Sequence, residues 1–150
     1  KGSGVQPHPI AAPAMASPPP VALEAAEVGL ACHPRGLQPA HVYGTAGFRA
    51  AADSLDHVLF RMGILAALRS KTLGGSAVGL MVTASHNPER DNGVKLVEPN
   101  GEMLPVEWEA QATALANASD ETLAESIAAL AGDVDLSLRA SVVVGRDTRA

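Results

Sequence analysis

A short apolar run at residues 77–83 places the tightest constraint on the fold of this chain. It reads AVGLMVT, with glycine and serine residues before it and an Asn-Pro pair after it. So short a run cannot form an independent helix, and the flanking turn residues favour a largely buried β-strand. Residues 91–93, DNG, predict a turn, and residues 94–97, VKLV, resume the strand pattern. We therefore expect two strands that frame a loop at residues 84–92.

Three other segments carry helical periodicity, and a fourth carries a strand pattern. Apolar residues at three- and four-residue spacings predict helices at residues 54–70, 105–117 and 120–131. Residues 141–144, SVVV, predict another strand. The order helix, strand, strand, helix, helix, strand argues for an α/β layered domain.

Prolines crowd residues 1–39, a stretch in which charged residues are few. This composition predicts a mostly disordered Pro/Ala-rich leader, within which residues 21–31 have the pattern of a short helix. The folded domain is then expected at residues 40–150. Because the chain ends directly after GRDTR, at a strand-to-loop junction, we expect this domain to be truncated.

The composition argues against several classes of function. The chain has 11 Lys and Arg against 16 Asp and Glu, a net charge of -5, and so lacks a broad basic surface for nucleic acid or anionic lipid. Aromatic residues make up 3%, too few for a base-stacking platform. The single cysteine excludes an internal disulfide framework and a Cys-rich zinc site. We expect no nucleic-acid or membrane partner, and a reducing, cytoplasmic location.

The loop sequence TASHNP at residues 83–88 places a hydroxyl, an imidazole and an amide next to a buried strand. A rigid scaffold presents reactive groups at such positions. Ser85 is the candidate nucleophile, because a serine oxygen accepts and returns a phosphoryl group when cations surround it. Asn87 precedes Pro88 and is therefore biased toward an extended backbone, which stiffens the loop. The candidate cations are Arg49, Lys95, Arg146 and Arg149.

Other interpretations of these residues stay open on the residues alone. One is a hydrolase dyad of Ser85 with His86 as its base, although adjacent side chains seldom point toward each other and no GxSxG pattern is present. A Ser-His pair in a loop is more commonly part of a solvated turn. Lys95 fits the solvent-facing side of a half-exposed strand, and Arg49 fits an ordinary loop cation.

Three segments carry a resemblance to a known family. They are YGTAGFR at residues 43–49, MVTASHNPERDNGVKLVEPNGEML at residues 81–104 and VVVGRDTR at residues 142–149. Together they resemble the α-D-phosphohexomutase superfamily, over residues 42–149. The GRD-type segment follows the serine loop here, and this order resembles that of the acetylglucosamine branch of the superfamily.

The resemblance implies a layered α/β/α first domain with a mixed sheet, and it implies a role for each matched residue. Ser85 corresponds to the phosphoserine that donates its phosphoryl group to the sugar through a bisphosphate intermediate, and its phosphate is also a ligand of Mg²⁺. Lys95 resembles an active-site lysine that assists proton transfer or neutralises charge, and Arg49 resembles an arginine near the phosphoserine. His86 and Asn87 hold the loop or hydrogen-bond the transferring group. The supporting residues are Arg146, Asp147 and Arg149.

The activity that the resemblance implies is the interconversion of N-acetylglucosamine 6-phosphate and N-acetylglucosamine 1-phosphate, on the route to UDP-N-acetylglucosamine. The superfamily carries its metal loop and its sugar-recognition loop in later domains, so we expect the isolated chain to be inactive. The alternatives are phosphoglucomutase or phosphomannomutase activity, or a non-catalytic truncated product. The oligomeric state stays open.

Overall fold

The structure is a computed structural model, and it describes residues 17–148. Four helices and four strands follow one another along the chain, with a short 3-10 turn at Ala52–Ser54. In chain order they are α1 (Pro20–Cys32), β1 (Phe48–Ala51), α2 (Asp56–Thr72), β2 (Ala77–Val82), β3 (Asp91–Val97), α3 (Val106–Asn117), α4 (Leu123–Ala131) and β4 (Ser141–Arg146).

The strands form a mixed 4-stranded sheet in the order β1-β3-β2-β4. β3 runs antiparallel to both β1 and β2, whereas β4 runs parallel to β2. A parallel neighbour requires a crossover connection, and α3 and α4 lie in the segment that provides it. The predicted α/β fold with a mixed sheet is therefore confirmed.

The core lies between the sheet and α2. α2 contacts the sheet; α1, α3 and α4 contact α2, and α4 also contacts α1 and α3. The sheet face beneath α2 carries buried apolar side chains on its central strands, because alternate strand residues point to the same side. These residues are Val78, Leu80, Val94 and Leu96. Within residues 17–148, the helices cover this face, and the opposite face, which carries Met81 and Lys95, is left open to other contacts.

The short helix expected at residues 21–31 is confirmed as α1, but the disorder expected for the rest of the leader does not extend to this helix, which packs on the core. Pro20 occupies the first turn, where its missing N–H costs nothing. Ala22 is fully buried. A β-carbon at Gly29 would lie 2.9 Å from Cε1 of Phe60, so the absence of a side chain there lets α1 approach α2 closely. Residues 1–16 lie outside the described residues.

The turn predicted at residues 91–93 is also wrong, because these residues begin β3. They pair with β1, a strand that the sequence pattern did not predict, in the register Arg49↔Gly93 and Ala51↔Asp91. The turn lies earlier, where the N–H of Asp91 donates to the carbonyl oxygen of Pro88 at 2.9 Å. β1 contains 4 residues, too few for its alternation to be recognised against the surrounding loop.

Hydrogen bonds to Asp120, which itself contacts the buried Arg61, hold the segment after α1 against the helices. Arg61 is fully buried and donates to carbonyl oxygens at the end of α3, including that of Ala116 at 2.9 Å. Its guanidinium also contacts Asp120 at 3.0 Å, and the same carboxylate accepts from the backbone N–H groups of Arg35 and Gly36. The residues that lead toward β1 are therefore anchored at several points.

No helix within residues 17–148 is both long enough and apolar enough to cross a membrane.

Candidate active site

Ser85 lies at the tip of a tight turn that follows β2. The N–H of Asn87 donates to the carbonyl oxygen of Ala84 at 2.7 Å, which places Ser85 and His86 at the two central positions of the turn. Both side chains are exposed. The side-chain amide of Asn87 donates to the carboxylate of Asp91 at 3.3 Å, which links the turn to the first residue of β3. The candidate nucleophile is therefore presented to solvent on a turn that is bonded at both ends.

The hydroxyl of Ser85 contacts the ring of His86, with 3.2 Å between Oγ and Nδ1. The expectation that these adjacent side chains would not meet is wrong, because the turn brings both to the same side of its tip. A hydrolase dyad also needs a third group that orients the base. No hydrogen bond to Nε2 of His86 is present within residues 17–148. His86 therefore orients the Ser85 hydroxyl but lacks the third group of a hydrolase triad within the described residues.

The segment after β4 holds the base of the serine loop. The hydroxyl of Thr83 donates to Oδ2 of Asp147 at 2.8 Å, and the N–H of Asp147 donates to the carbonyl oxygen of Val82 at 3.2 Å. On the other side, the N–H of Thr83 donates to the carbonyl oxygen of Gly93 at 3.0 Å. Thr83, the first residue after β2, is therefore hydrogen-bonded both to β3 and to the residue that follows β4.

Arg49 lies on β1, directly across from Gly93. A β-carbon at Gly93 would lie 3.4 Å from Cδ of Arg49 and 3.0 Å from the carbonyl oxygen of Thr83. The arginine side chain thus passes over the glycine, close to the residue that begins the serine loop. Arg49 is exposed, so its guanidinium is accessible to a ligand.

Lys95 lies on β3, opposite Met81, and is half-buried. It shares a sheet face with Arg49, because Gly93 pairs with Arg49 and residues two apart on a strand face the same side. Diagonal neighbours of this kind are separated by about 7–8 Å. The structure therefore brings Arg49 and Lys95 together on one face, beside the strand end that carries the Ser85 loop.

The remaining candidate cations lie apart from this pair. Arg146 is exposed and pairs with Val82, so it faces the other side of the sheet from Lys95. Arg149 lies outside the described residues. Among the predicted supporting residues, Asp147 is the one whose contacts with the serine loop are seen here.

A metal ion would find few protein ligands in this part of the chain. Within residues 17–148, no group of three or more His, Cys, Asp or Glu side chains has the arrangement of a metal site. Mg²⁺ prefers several oxygen ligands, including carboxylates and phosphates. A phosphate on the exposed hydroxyl of Ser85 would offer one such ligand and would leave the rest of the coordination shell to other groups.

Several residues that shape the site were not predicted from the sequence. Gly93 and Gly47 make close backbone contacts, Thr83 bonds Asp147, and the hydroxyl of Tyr43 accepts from the N–H of Leu96 at 2.9 Å. Burial raises the pKa of Tyr43 above its ordinary value, so its hydroxyl stays protonated. The glycines within the motifs indicated that the backbone needs space there, but a glycine in a sequence does not show which residue will pack against it.

Comparisons with known proteins agree with this architecture. Residues 64–123 match the family model of the phosphoglucomutase/phosphomannomutase α/β/α domain I. The phosphoacetylglucosamine mutase of Sus scrofa is 61% identical over 109 residues, covering 71% of this chain and 20% of that protein. The corresponding enzyme of Candida albicans is 51% identical over 132 residues, covering 80% of this chain and 24% of that protein. The chain thus spans between 20% and 24% of the length of these relatives.

Solved structures show the same likeness. An N-acetylglucosamine-phosphate mutase in a product complex, described as a member of the α-D-phosphohexomutase superfamily, has a TM-score of 0.80 and 52% identity, covering 85% of this chain and 24% of that one. The Aspergillus fumigatus N-acetylphosphoglucosamine mutase, in complex with GlcNAc-6P and magnesium, has a TM-score of 0.70 and 47% identity, covering 88% and 24%. Fold, motifs and relatives therefore agree that this chain belongs to the α-D-phosphohexomutase superfamily.

Proposed function

We propose that this chain forms the first part of a cytoplasmic phosphosugar mutase that interconverts N-acetylglucosamine 6-phosphate and N-acetylglucosamine 1-phosphate for UDP-N-acetylglucosamine synthesis. The observation that carries the proposal is the exposed Ser85 hydroxyl on a turn bonded at both ends, with Arg49 and Lys95 on one sheet face beside it. The relatives that match the chain are named phosphoacetylglucosamine mutase, which fits this substrate class.

The proposed reaction begins with a phosphoryl group on Oγ of Ser85. A sugar hydroxyl attacks the phosphorus, the bond from phosphorus to Oγ breaks, and the sugar becomes a bisphosphate. The hydroxyl proton ends on Oγ of Ser85. The second half-reaction reverses these roles: Oγ attacks the other phosphate of the bisphosphate, and the product leaves as the isomeric monophosphate. His86, whose Nδ1 lies 3.2 Å from Oγ, orients the free hydroxyl between the two steps.

Charge neutralisation is the main task of the surrounding residues. A phosphoserine carries about -1.5 to -2 charges at neutral pH. Phosphoryl transfer spreads negative charge over the equatorial oxygens, so fixed cations stabilise it effectively. Arg49 neutralises charge near the base of the loop, and Lys95 either neutralises charge or assists proton transfer.

Magnesium would add a further positive charge at the phosphate. One solved relative is described in complex with magnesium. In this chain, a phosphate oxygen on Ser85 would be its ligand, and groups beyond residues 17–148 would complete its shell. The isolated chain is accordingly proposed not to turn over.

The experiment is a mutase assay on the full-length protein, with N-acetylglucosamine 6-phosphate as substrate. We expect Ser85→Ala to lose at least about a thousandfold in kcat, since it removes the covalent carrier. The matched control is Ser137→Ala, which alters an exposed serine in the loop after α4 and should retain wild-type kcat. Wild-type turnover by Ser85→Ala would refute the proposal. Faster turnover of glucose or mannose phosphates than of the acetylated sugar would refute the substrate assignment.

A further inference from the structure

Within residues 17–148, the edge of β3 that pairs with β1 has no strand neighbour beyond Val94, next to Lys95. β1 begins at Phe48, which pairs with Val94, so β3 continues past the end of its partner. The hydroxyl of Tyr43 takes the place of the missing strand: the N–H of Leu96 donates to it at 2.9 Å in a buried setting. A buried N–H without a partner destabilises the folded state, because its bond to water is lost and not replaced. Tyr43 therefore completes the hydrogen bonding of β3 at the residue that follows Lys95.

Gly47 packs against the same stretch of β3. Its φ is +79°, in the region that favours glycine. A β-carbon there would lie 2.3 Å from the carbonyl oxygen of Val94 and 2.7 Å from Cβ of Lys95. Only a residue without a side chain fits against Lys95 in this way. The segment from Tyr43 to Gly47 thus contacts Lys95 on both its backbone and its β-carbon.

Tyr43 is itself firmly held. Its N–H donates to Oγ1 of Thr113 on α3 at 3.0 Å, and its ring meets Phe48 edge-on with centroids 5.2 Å apart. The residue is 7% exposed. A rigid chain of contacts therefore runs from α3 through the tyrosine ring to the backbone of β3.

We propose that Tyr43 is a positioning residue for Lys95, and this inference rests on the function proposed above. The hydroxyl fixes the peptide between Lys95 and Leu96, and with it the direction in which the lysine side chain leaves the strand. Misplacing a catalytic group by about 1 Å can lower the rate a hundredfold. Tyr43 would thus act on the reaction through the placement of the Lys95 ammonium, without touching the substrate.

The test is a double-mutant cycle in the full-length protein. Tyr43→Phe should lower kcat about tenfold and leave KM within about twofold, because the lysine is misplaced and substrate contacts are kept. Lys95→Met should lower kcat further. In the Lys95→Met background, Tyr43→Phe should cause no additional loss, because there is no ammonium left to position.

The matched control is Ser70→Ala. The Ser70 hydroxyl accepts from the N–H of Ser141 at 2.9 Å, as Tyr43 accepts from Leu96, but it lies at the other end of the sheet. Ser70→Ala should lower the thermal unfolding midpoint at least as much as Tyr43→Phe does, because the Ser70 hydroxyl also donates to the carbonyl oxygen of Ser76 at 2.7 Å, and it should leave kcat unchanged.

Two results would overturn the inference. An equal loss from Tyr43→Phe with and without the lysine would mean that the tyrosine acts elsewhere, and full activity of Lys95→Met would mean that there is nothing to position. Neither result affects the loss expected for Ser85→Ala, so a failure of this inference is distinguishable from a failure of the proposed function.

Discussion

Gly93 lets three strands converge beneath the serine loop. A β-carbon there would lie 2.5 Å from the carbonyl oxygen of Phe48 and 3.0 Å from that of Thr83, which no side chain tolerates without a shift of the backbone. The result is that Arg49 reaches over the start of the loop that carries Ser85. At the scale of residues, the site consists of a few reactive groups and of small residues that allow them to approach one another.

The bond between Thr83 and Asp147 offers a test at this scale. Thr83→Val keeps the side-chain shape and removes the hydroxyl that donates to the carboxylate at 2.8 Å. We expect kcat of the full-length protein to fall about tenfold, because the loop loses one of its fixed ends. Initial rates at saturating substrate give kcat for the wild type and for Thr83→Val.

Thr72→Val is the control for that measurement. It removes a comparable hydroxyl, which donates to the carbonyl oxygen of Arg69 at 2.7 Å, at the exposed end of α2. This variant should keep wild-type kcat. If Thr83→Val also kept it, the bond to Asp147 would have no part in positioning the loop.

Ser85 could be named as a candidate because a polar TASHNP loop follows an apolar strand, which is a local pattern, and its role was inferred from the family resemblance. The residues that hold this loop could not be named in the same way. The contacts of Thr83 and Gly93 depend on Asp147 and Phe48, which are distant in sequence and become neighbours only in the folded chain. Local patterns carry no information about such pairs.

At the scale of elements, α1 shows how tertiary contacts override composition. Its flanks are rich in proline, yet alanine and glycine give it a narrow face that fits against α2 and α4. Two backbone N–H groups of the loop after α1 donate to the carboxylate of Asp120. The same carboxylate contacts the buried Arg61. Arg61, in turn, donates to the carbonyl oxygens of Ala116 and Ala118 at the end of α3, where the last turn of a helix leaves carbonyl groups without helical partners.

His57 predicts how the stability of this helical layer depends on pH. The residue lies on α2 and is 1% exposed. Burial, followed by the positive charge of Arg61, lowers the pKa of His57 from its ordinary value of 6.5 to about 4. The folded state thus binds a proton less readily than the unfolded state. Its contribution to stability is complete above about pH 6.5 and is lost as the pH falls toward 4.

The expected loss over this interval is about 3 kcal/mol in the free energy of unfolding. Urea unfolding of the purified protein at pH 7 and at pH 4 measures it, and His57→Gln should remove most of the difference because the amide does not titrate. If the variant loses as much stability as the wild type, another group controls the acid sensitivity.

At the scale of the whole molecule, residues 17–148 form a mixed sheet with helices on one face and the serine loop at one end. The fold class was predictable because helical and strand patterns alternate along the chain. β1 and the docking of α1 were not, since a strand of 4 residues and a proline-flanked helix take their stability from distant partners. The chain corresponds to 20% of the length of the Sus scrofa relative.

The proposed function requires that Oγ of Ser85 carries a phosphoryl group. Intact-mass spectrometry of the full-length protein, followed by mapping of the peptide that contains Ser85, detects this group. The wild type and Ser137→Ala should each carry one phosphoryl group on that peptide, and Ser85→Ala should carry none. Retention of the phosphoryl group by Ser85→Ala, or its absence from protein that turns over substrate, would refute the assignment of Ser85 as the phosphoryl carrier.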